Sequence, residues 1–412
     1  MIARLVVLGT GFGAVSLLRN LSPNRYAVTV VSPRNHFLFS PLLPSTTVGT
    51  IEFLSIAEPV RLTAKHASFV QAEAVGLDLS RRVICCKSAF DGKEFPVEYD
   101  ILVIAVGAVS NTFGIEGVRE HAFFLKELSD AFAIRQKMLD NFEAASLPSV
   151  SPAERQKLLH FVVVGGGPTG VEYAAELADF FDDEVKAYFP HLVSEARITL
   201  VEAGKQILST FDERLSKYAT SLFQRRRITF IMNTPVKKVE AGKVHLSNGE
   251  VLEAGLIVWS TGNGANAFVK SLPFQKDRSG RLLTDHYLRV LDTVDIFALG
   301  DCATFYDYTQ PATAQVAMQA GKYLARLLNK VSSPSDAEKA VAPFSPKSFG
   351  MLAYIGKDEA LADLPFLKWS GFLTWIFWRT AYLTKLVSLK NKVQVLFDWI
   401  RSRLFGRDIT RF

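Results

Sequence analysis

Two short glycine-rich stretches are the residues of this chain best suited, by type and spacing, to do chemistry. Gly9-Thr10-Gly11-Phe12-Gly13-Ala14 follows the pattern G-x-G-x-x-A, and Gly165-Gly166-Gly167-Pro168-Thr169-Gly170 follows G-x-G-x-x-G. In such a turn the first glycine permits a tight bend and the second lets backbone approach a pyrophosphate. The last small residue (Ala14 in one, Gly170 in the other) lets a helix lie close to a sheet. The helix that follows offers unpaired N–H groups and a positive dipole end to phosphate oxygens. The pattern carries this meaning only where a strand precedes it and a helix follows.

Both turns have that context. ARLVVLG (3–9) reads as a buried strand entering the first turn, with AVTVVS (27–32) as its parallel neighbour after a helix. LHFVVVGGG (159–167) and ARITLVEAG (196–204) repeat the arrangement. YDILVIAVGA (99–108) and GLIVWSTGN (255–263) are buried strands that run out into small residues. A Ser- and Pro-rich linker, SLPSVSPAE (146–154), separates the halves. Helical spacing marks 127–144 and 311–330, and 244–252 reads as a hairpin turning at Asn248-Gly249. A polar linker follows at 331–340. One strand–turn–helix–strand unit therefore occurs twice, which predicts an α/β fold with two Rossmann-like, parallel-sheet domains.

The two units differ where a ribose-binding acid is expected. After the first turn that place holds Ser32-Pro33-Arg34, which leaves the adenosine hydroxyls to Ser32 or backbone and sets Arg34 near the adenine or phosphates. After the second, an extended helix and loop (177–195) lead to Glu202. A carboxylate there accepts hydrogen bonds from both ribose hydroxyls and repels a 2′-phosphate, favouring NADH over NADPH. Two nucleotide sites in one chain imply electron transfer between two cofactors, FAD at the first turn and NADH at the second.

The 412 residues are about half hydrophobic, enough to bury cores for two or three domains. Cys85, Cys86 and Cys302 have neither zinc-ligand nor C-x-x-C spacing, so no metal and no redox dithiol is expected. The net charge of +6 is concentrated at one end. From Phe366 to Phe412 nine Lys/Arg face two acids, +7, which leaves −1 for the rest and argues against a nucleic-acid surface. Four of the five tryptophans lie in the same segment. Its longest apolar run, Phe372 to Trp378, is far short of the roughly 20 residues of a spanning helix. Within 391–405, Val393, Leu396, Phe397, Ile400, Leu404 and Phe405 line one helical face, with Lys392, Arg401 and Arg403 away from its centre. Such a helix lies on an anionic lipid surface or packs on the body or a second subunit.

SPRNHFLFSPLLPSTTVGT (32–50), GGGPTGVEYAAELADF (165–180), FALGDCA (297–303), AQVAMQAG (314–321) and GFLTWIFWRTAYLTK…FGRDITRF (371–412) together resemble the type II, non-proton-pumping NADH:quinone oxidoreductases, over nearly the whole chain. The resemblance implies a glutathione-reductase-like pair of dinucleotide domains with a C-terminal membrane-binding helical region. It implies that Gly300 and Asp301 hold the FAD ribitol, that Ala105 and Gly107 pass close to FAD, and that Pro41 and Leu42 lie beside the isoalloxazine. Thr261, Gly262 and Asn263 would border the nicotinamide. Glu172 would sit at the flavin–nicotinamide junction. Gln315 and Gln319 would lie near the quinone pocket, and Gln315 and Ala317 would also touch the cofactor. Read without the resemblance, Glu172 is as readily an acid favoured by a helix dipole, and the glutamines an exposed or helix-pairing couple.

The expected layout is an FAD-binding domain from 1–120 and 264–340, an NADH-binding domain from 121–263 and a membrane-anchoring region from 341–412. No calcium loop is present in 203–260. No signal or transit peptide is expected before the first strand. This favours the cytoplasmic face of a prokaryotic inner membrane, or the mitochondrial inner membrane for a trimmed eukaryotic chain. A homodimer stays open. The rival readings are a sulfide:quinone oxidoreductase, which lacks its cysteine pair here, and a redox-sensing flavoprotein.

Overall fold

The structure, a computed structural model, describes residues 2–226, 228–331 and 333–410. Ser332 of the second linker, the tail cation Arg411, Met1 and Phe412 lie outside them. By packing, the chain forms two compact units. The first contains residues 1–38, 58–109 and 263–349; the second contains 39–57, 110–262 and 350–412. Two placements differ from expectation. Residues 39–57, with Pro41 and Leu42, pack with residues 110–262, and so does the tail from residue 350.

The first unit is built on a seven-stranded sheet. Its spatial order is Ile296–Ala298, Ile101–Ile104, Arg4–Leu8, Ala27–Ser32, Ser68–Asp78, Val83–Ser88 and Glu94–Glu98. The first five strands are parallel and the last two antiparallel. The parallel strands read as continuous apolar runs because both faces are covered. Leu5, Val7, Val28 and Val30 face one core, and Val6, Leu8, Val31 and Leu102 face the other. Helix Ala314–Lys330 starts at Thr313, whose hydroxyl accepts from Val316 N–H, three residues later than the sequence pattern suggested.

The second unit repeats the theme with a five-stranded parallel sheet, ordered Phe123–Phe124, Leu256–Trp259, His160–Val164, Arg197–Val201 and Ile228–Ile231. The expected hairpin forms between Lys243–Leu246 and Val251–Glu253. Gly249 supplies the positive φ, +90°, that its turn needs. The tail is helical from residue 372, as expected, and carries a small sheet before its helices. It opens with an antiparallel sheet of Met351–Gly356, Glu359–Leu364 and Leu367–Gly371. Helices Phe372–Lys385 and Leu389–Phe405 follow. The first hairpin turns at Lys357-Asp358, both at positive φ, a pair far less typical of such a turn than Asn-Gly.

Candidate functional site

The two glycine turns are built alike. Gly9 has φ +107° and Gly165 φ +115°. Gly9 N–H donates to Val31 O, and Gly165 N–H to Val201 O, each at 2.8 Å. A Cβ on Gly9 would lie 2.3 Å from Ala105 O, and one on Gly165 would lie 2.6 Å from Ser260 O. Each glycine is therefore required twice, by its φ and by the strand end beside it. The second glycine of each pattern, Gly11 and Gly167, is the N-cap of a helix, Phe12–Asn20 and Pro168–Phe180 respectively. Neither helix has a side-chain cap or an acid in its first turn, and a Cβ at either glycine meets open space. The first N–H groups of both helices are left for an outside acceptor, and the room in front suits a pyrophosphate.

The last small residues close the packing. Ala14 is fully buried, and a Cβ on Gly170 would lie 2.0 Å from Gly165 O. Gly13 and Gly321 have a role the motif reading missed. A Cβ on Gly321 would lie 2.1 Å from Gly13 O, so helices Phe12–Asn20 and Ala314–Lys330 touch through backbone. Ser16 Oγ donates to Met318 O across the same contact at 2.7 Å.

Around the first turn, Ser32 is buried and its hydroxyl lies 3.2 Å from Thr10 Oγ1. It also accepts from Arg34 N–H at 3.2 Å. Arg34 Nε donates to His36 O at 3.1 Å. Ala105 is buried, Gly107 has φ +68° with open space beside it, and Gly300 has φ +76° in a short turn that includes half-buried Asp301. Ala317 Cβ would lie 3.6 Å from a Cβ on Gly300. In the second unit, Glu202 accepts Gly166 N–H and Gly204 N–H, each at 2.6 Å, one on each oxygen. Two acceptor directions of its carboxylate remain. Gly262, between Thr261 and Asn263, has φ +73°, and a Cβ there would collide with the Phe113 ring. Leu42 is buried and Pro41 half-buried.

Both glutamines bond to nearby backbone. Gln319 Oε1 accepts Lys347 N–H, and its amide donates to Lys347 O, both at 2.9 Å, and to Gln315 O at 3.2 Å. Gln315 Oε1 accepts Phe349 N–H at 3.1 Å. The pair fastens the 347–349 backbone along its helix.

Glu172 is buried, and its carboxylate accepts Tyr354 N–H at 3.1 Å. Burial pushes its pKa up to about 8; the N–H bond opposes this and nearby Glu176 adds to it. Glu172 heads a column the motif reading missed. Glu176 and Asp179 follow at i+4 and i+7 on the same helical face, both buried. Ser45 and Thr50 donate to the two oxygens of Glu176 at 2.6 and 2.7 Å. Asp179 accepts from Tyr354 Oη at 2.6 Å and pairs with buried Arg226 at 2.5 Å. The signal was present in sequence: acids at positions 172, 176 and 179 of a helix otherwise apolar along that face.

The three cysteines lie in different surroundings. Cys302 is buried and its S–H donates to backbone carbonyls of Ile104 and Leu299; burial raises its pKa to about 11. Cys85 and Cys86 face opposite sides of their strand, and all three thiols are free. Among the described residues no His/Cys/Asp/Glu group could hold a metal.

A duplicated strand–glycine turn–helix unit, with both helix N-termini left open, defines a two-dinucleotide oxidoreductase. The family model described as pyridine nucleotide-disulphide oxidoreductase matches residues 3–321, and the NDH2 C-terminal domain matches 349–408. A "Probable NADH dehydrogenase" of Dictyostelium discoideum is 46% identical, covering 99% of this chain and 91% of the relative. An "Internal alternative NAD(P)H-ubiquinone oxidoreductase A1, mitochondrial" of Solanum tuberosum is 43% identical over 99% of this chain and 88% of the relative. The structure of NDH2 from Plasmodium falciparum in complex with NADH superposes with a TM-score of 0.94 at 28% identity, covering 100% of both chains. The chain belongs to the pyridine nucleotide-disulphide oxidoreductases, in the branch of type II NADH dehydrogenases.

Proposed function

We propose that this chain is a membrane-attached NADH:quinone oxidoreductase that uses FAD and moves no charge across the membrane. The duplicated open turn, in a chain closed by an NDH2 C-terminal domain, carries the reading. When bound, FAD supplies the two-electron relay between NADH and quinone. Gly9, Gly11, Gly13 and Ala14 shape the phosphate cradle for FAD, with Ser32, Arg34, Ala105, Gly107, Gly300 and Asp301 around it. Gly165, Gly167 and Gly170 shape the cradle for NADH. Glu202 faces its ribose, and Thr261, Gly262 and Asn263 border the nicotinamide.

NADH brings two electrons and one proton, so quinone reduction draws a second proton from the protein or solvent. Glu172, whose carboxyl stays protonated to about pH 8, holds a proton at a carboxylate oxygen for that step. Gln315 and Gln319, which fasten the 347–349 backbone, line the quinone pocket. The test is steady-state turnover of flavin-loaded protein with NADH and a short-chain quinone; no NADH-dependent quinone loss would overturn the reading.

The tail supplies the membrane surface. No described helix is long and apolar enough to cross a bilayer. The six apolar residues of the 391–405 face are all exposed, Phe397 at 62% and Phe405 at 79%. Phe372, Leu373, Ile376 and Phe377 are exposed on the preceding helix. An apolar face of this extent needs cover. Four of the tail's nine cations, however, are paired within the unit. Lys368 pairs with Asp363, Arg401 with Glu52, Arg403 with Asp358 and Arg407 with Glu184. The apolar face, more than the +7 charge, drives attachment. Binding to neutral phosphatidylcholine vesicles supports this; a dimer in solution that ignores vesicles would assign the face to a second copy.

A further inference from the structure

Apart from the nucleotide turns, the second unit contains a cleft beside the tail helices. It has room for about 70 Å³ of water or one small anion, and lies between helix Pro168–Phe180 and the tail helices. Arg379 projects into it. Its guanidinium carbon lies 4.0 Å from the centroid of Trp375 and 4.7 Å from that of Trp399, held between two indole faces. Its Nε is buried with no hydrogen-bond partner. A guanidinium N–H removed from water and left without an acceptor is costly.

The carboxylates lining the same cleft are already engaged. Asp183 pairs with Arg407 at 3.0 Å, Asp358 pairs with Arg403 at 2.7 Å, and Glu176 takes the Ser45 and Thr50 hydroxyls. Arg379 is thus the cleft's cation without a carboxylate of its own. Burial also lowers its pKa below that of an ordinary guanidinium, as expected for a charge awaiting a counterion.

We propose that this cleft is a binding site for a phosphate group, held by the fork of Arg379 between Trp375 and Trp399. Two planar N–H donors match phosphate oxygens, and the indoles keep the guanidinium in one orientation. The group is either a free phosphate or the headgroup of an anionic lipid. The proposal stands apart from the membrane reading, which rests on the exposed apolar faces.

The experiment uses flavin-loaded full-length protein, unsubstituted and as Arg379→Gln, Arg379→Lys and Lys392→Gln. Lys392→Gln removes the same charge from the tail outside the cleft. In one arm inorganic phosphate and glycerol 3-phosphate are titrated by calorimetry. In the other, co-sedimentation compares vesicles of phosphatidylcholine with vesicles containing phosphatidylglycerol. Arg379→Gln is expected to weaken binding at least about tenfold more than Lys392→Gln in one arm. Loss in the calorimetric arm assigns a free phosphate; loss only with phosphatidylglycerol vesicles assigns a lipid headgroup. Arg379→Lys, which keeps charge but not the fork, is expected to lose most of the same binding, and carries the test should Arg379→Gln not fold. Equal behaviour of the Arg379 and Lys392 variants in both arms overturns the proposal, and retained phosphatidylcholine binding would then leave the apolar foot intact.

Discussion

Arg407 and Glu184, separated by 223 residues, form a double contact: Arg407 Nη1 lies 2.6 Å from Glu184 Oε2, and Arg407 N–H donates to Glu184 Oε1 at 2.8 Å. Both side chains are nearly buried, at 10% and 5% exposure. Arg407 Nη1 also meets Asp183 at 3.0 Å, and its Nε donates to Thr50 Oγ1 at 3.0 Å. Burial works against the Arg407 charge, yet Glu176, Glu184 and Asp179 hold its pKa above the ordinary value. Glu184 and Asp183 lie in a π-helical turn, Phe181–Val185, that widens the helix and aims both acids at the tail.

Removing Arg407 leaves Glu184 buried without its counter-charge. Arg407→Ala is expected to cost on the order of 3–5 kcal/mol, as loss of one partner of a buried pair does. Denaturant unfolding gives the midpoint shift, and limited proteolysis should cleave the tail first. An unchanged midpoint would mean the contact is incidental.

Glu172 sets a stability trend with pH. Its carboxyl titrates near 4.5 when unfolded and near 8 when folded, so the folded state holds the proton more tightly. Its contribution is full below about pH 4.5, falls as pH rises, and is gone above about 8. Glu172→Gln should therefore flatten the fall in melting temperature between pH 5 and 9. In turnover, the same variant should lose the decline in quinone reduction near pH 8. A parallel pH profile for parent and variant would remove Glu172 from the proton step.

The two glycine turns should fail separately. Gly9→Ala places a Cβ 2.3 Å from Ala105 O and should yield protein with little bound flavin. Gly165→Ala places one 2.6 Å from Ser260 O and should keep its flavin while KM for NADH rises at least about tenfold. Flavin loss in both, or in neither, would contradict the assignment of one cofactor to each turn.

Glu202→Gln keeps an acceptor for Gly166 or Gly204 but removes the negative charge. The ratio of kcat/KM for NADPH to that for NADH should rise about tenfold or more, equivalent to about 1.4 kcal/mol. An unchanged ratio would mean that Glu202 does not face the ribose.

Much of the frame was legible in sequence because it depends on backbone geometry. A glycine at φ above +100° beside a strand end leaves a local mark, and Gly9 and Gly165 both carried it. The buried strands announced themselves as apolar runs. What escaped depends on partners far apart in the chain. Counting Arg401, Arg403 and Arg407 gave the tail its charge, but nothing local revealed that Glu52, Asp358 and Glu184 would neutralise them. Gln315 and Gln319 had the right spacing to share a helical face, but nothing local showed that they would also bond the backbone of 347–349. The sheet from Met351 to Gly371 was hidden by short strands and a Lys-Asp turn.

The most direct test of the central claim is anaerobic double mixing. Flavin-loaded protein is first mixed with one equivalent of NADH, then with a short-chain quinone, while the flavin's visible absorbance is followed. Bleaching is expected in the first mix, and full recovery with stoichiometric quinol in the second. Bleaching that quinone cannot reverse, or no bleaching with NADH, would contradict it.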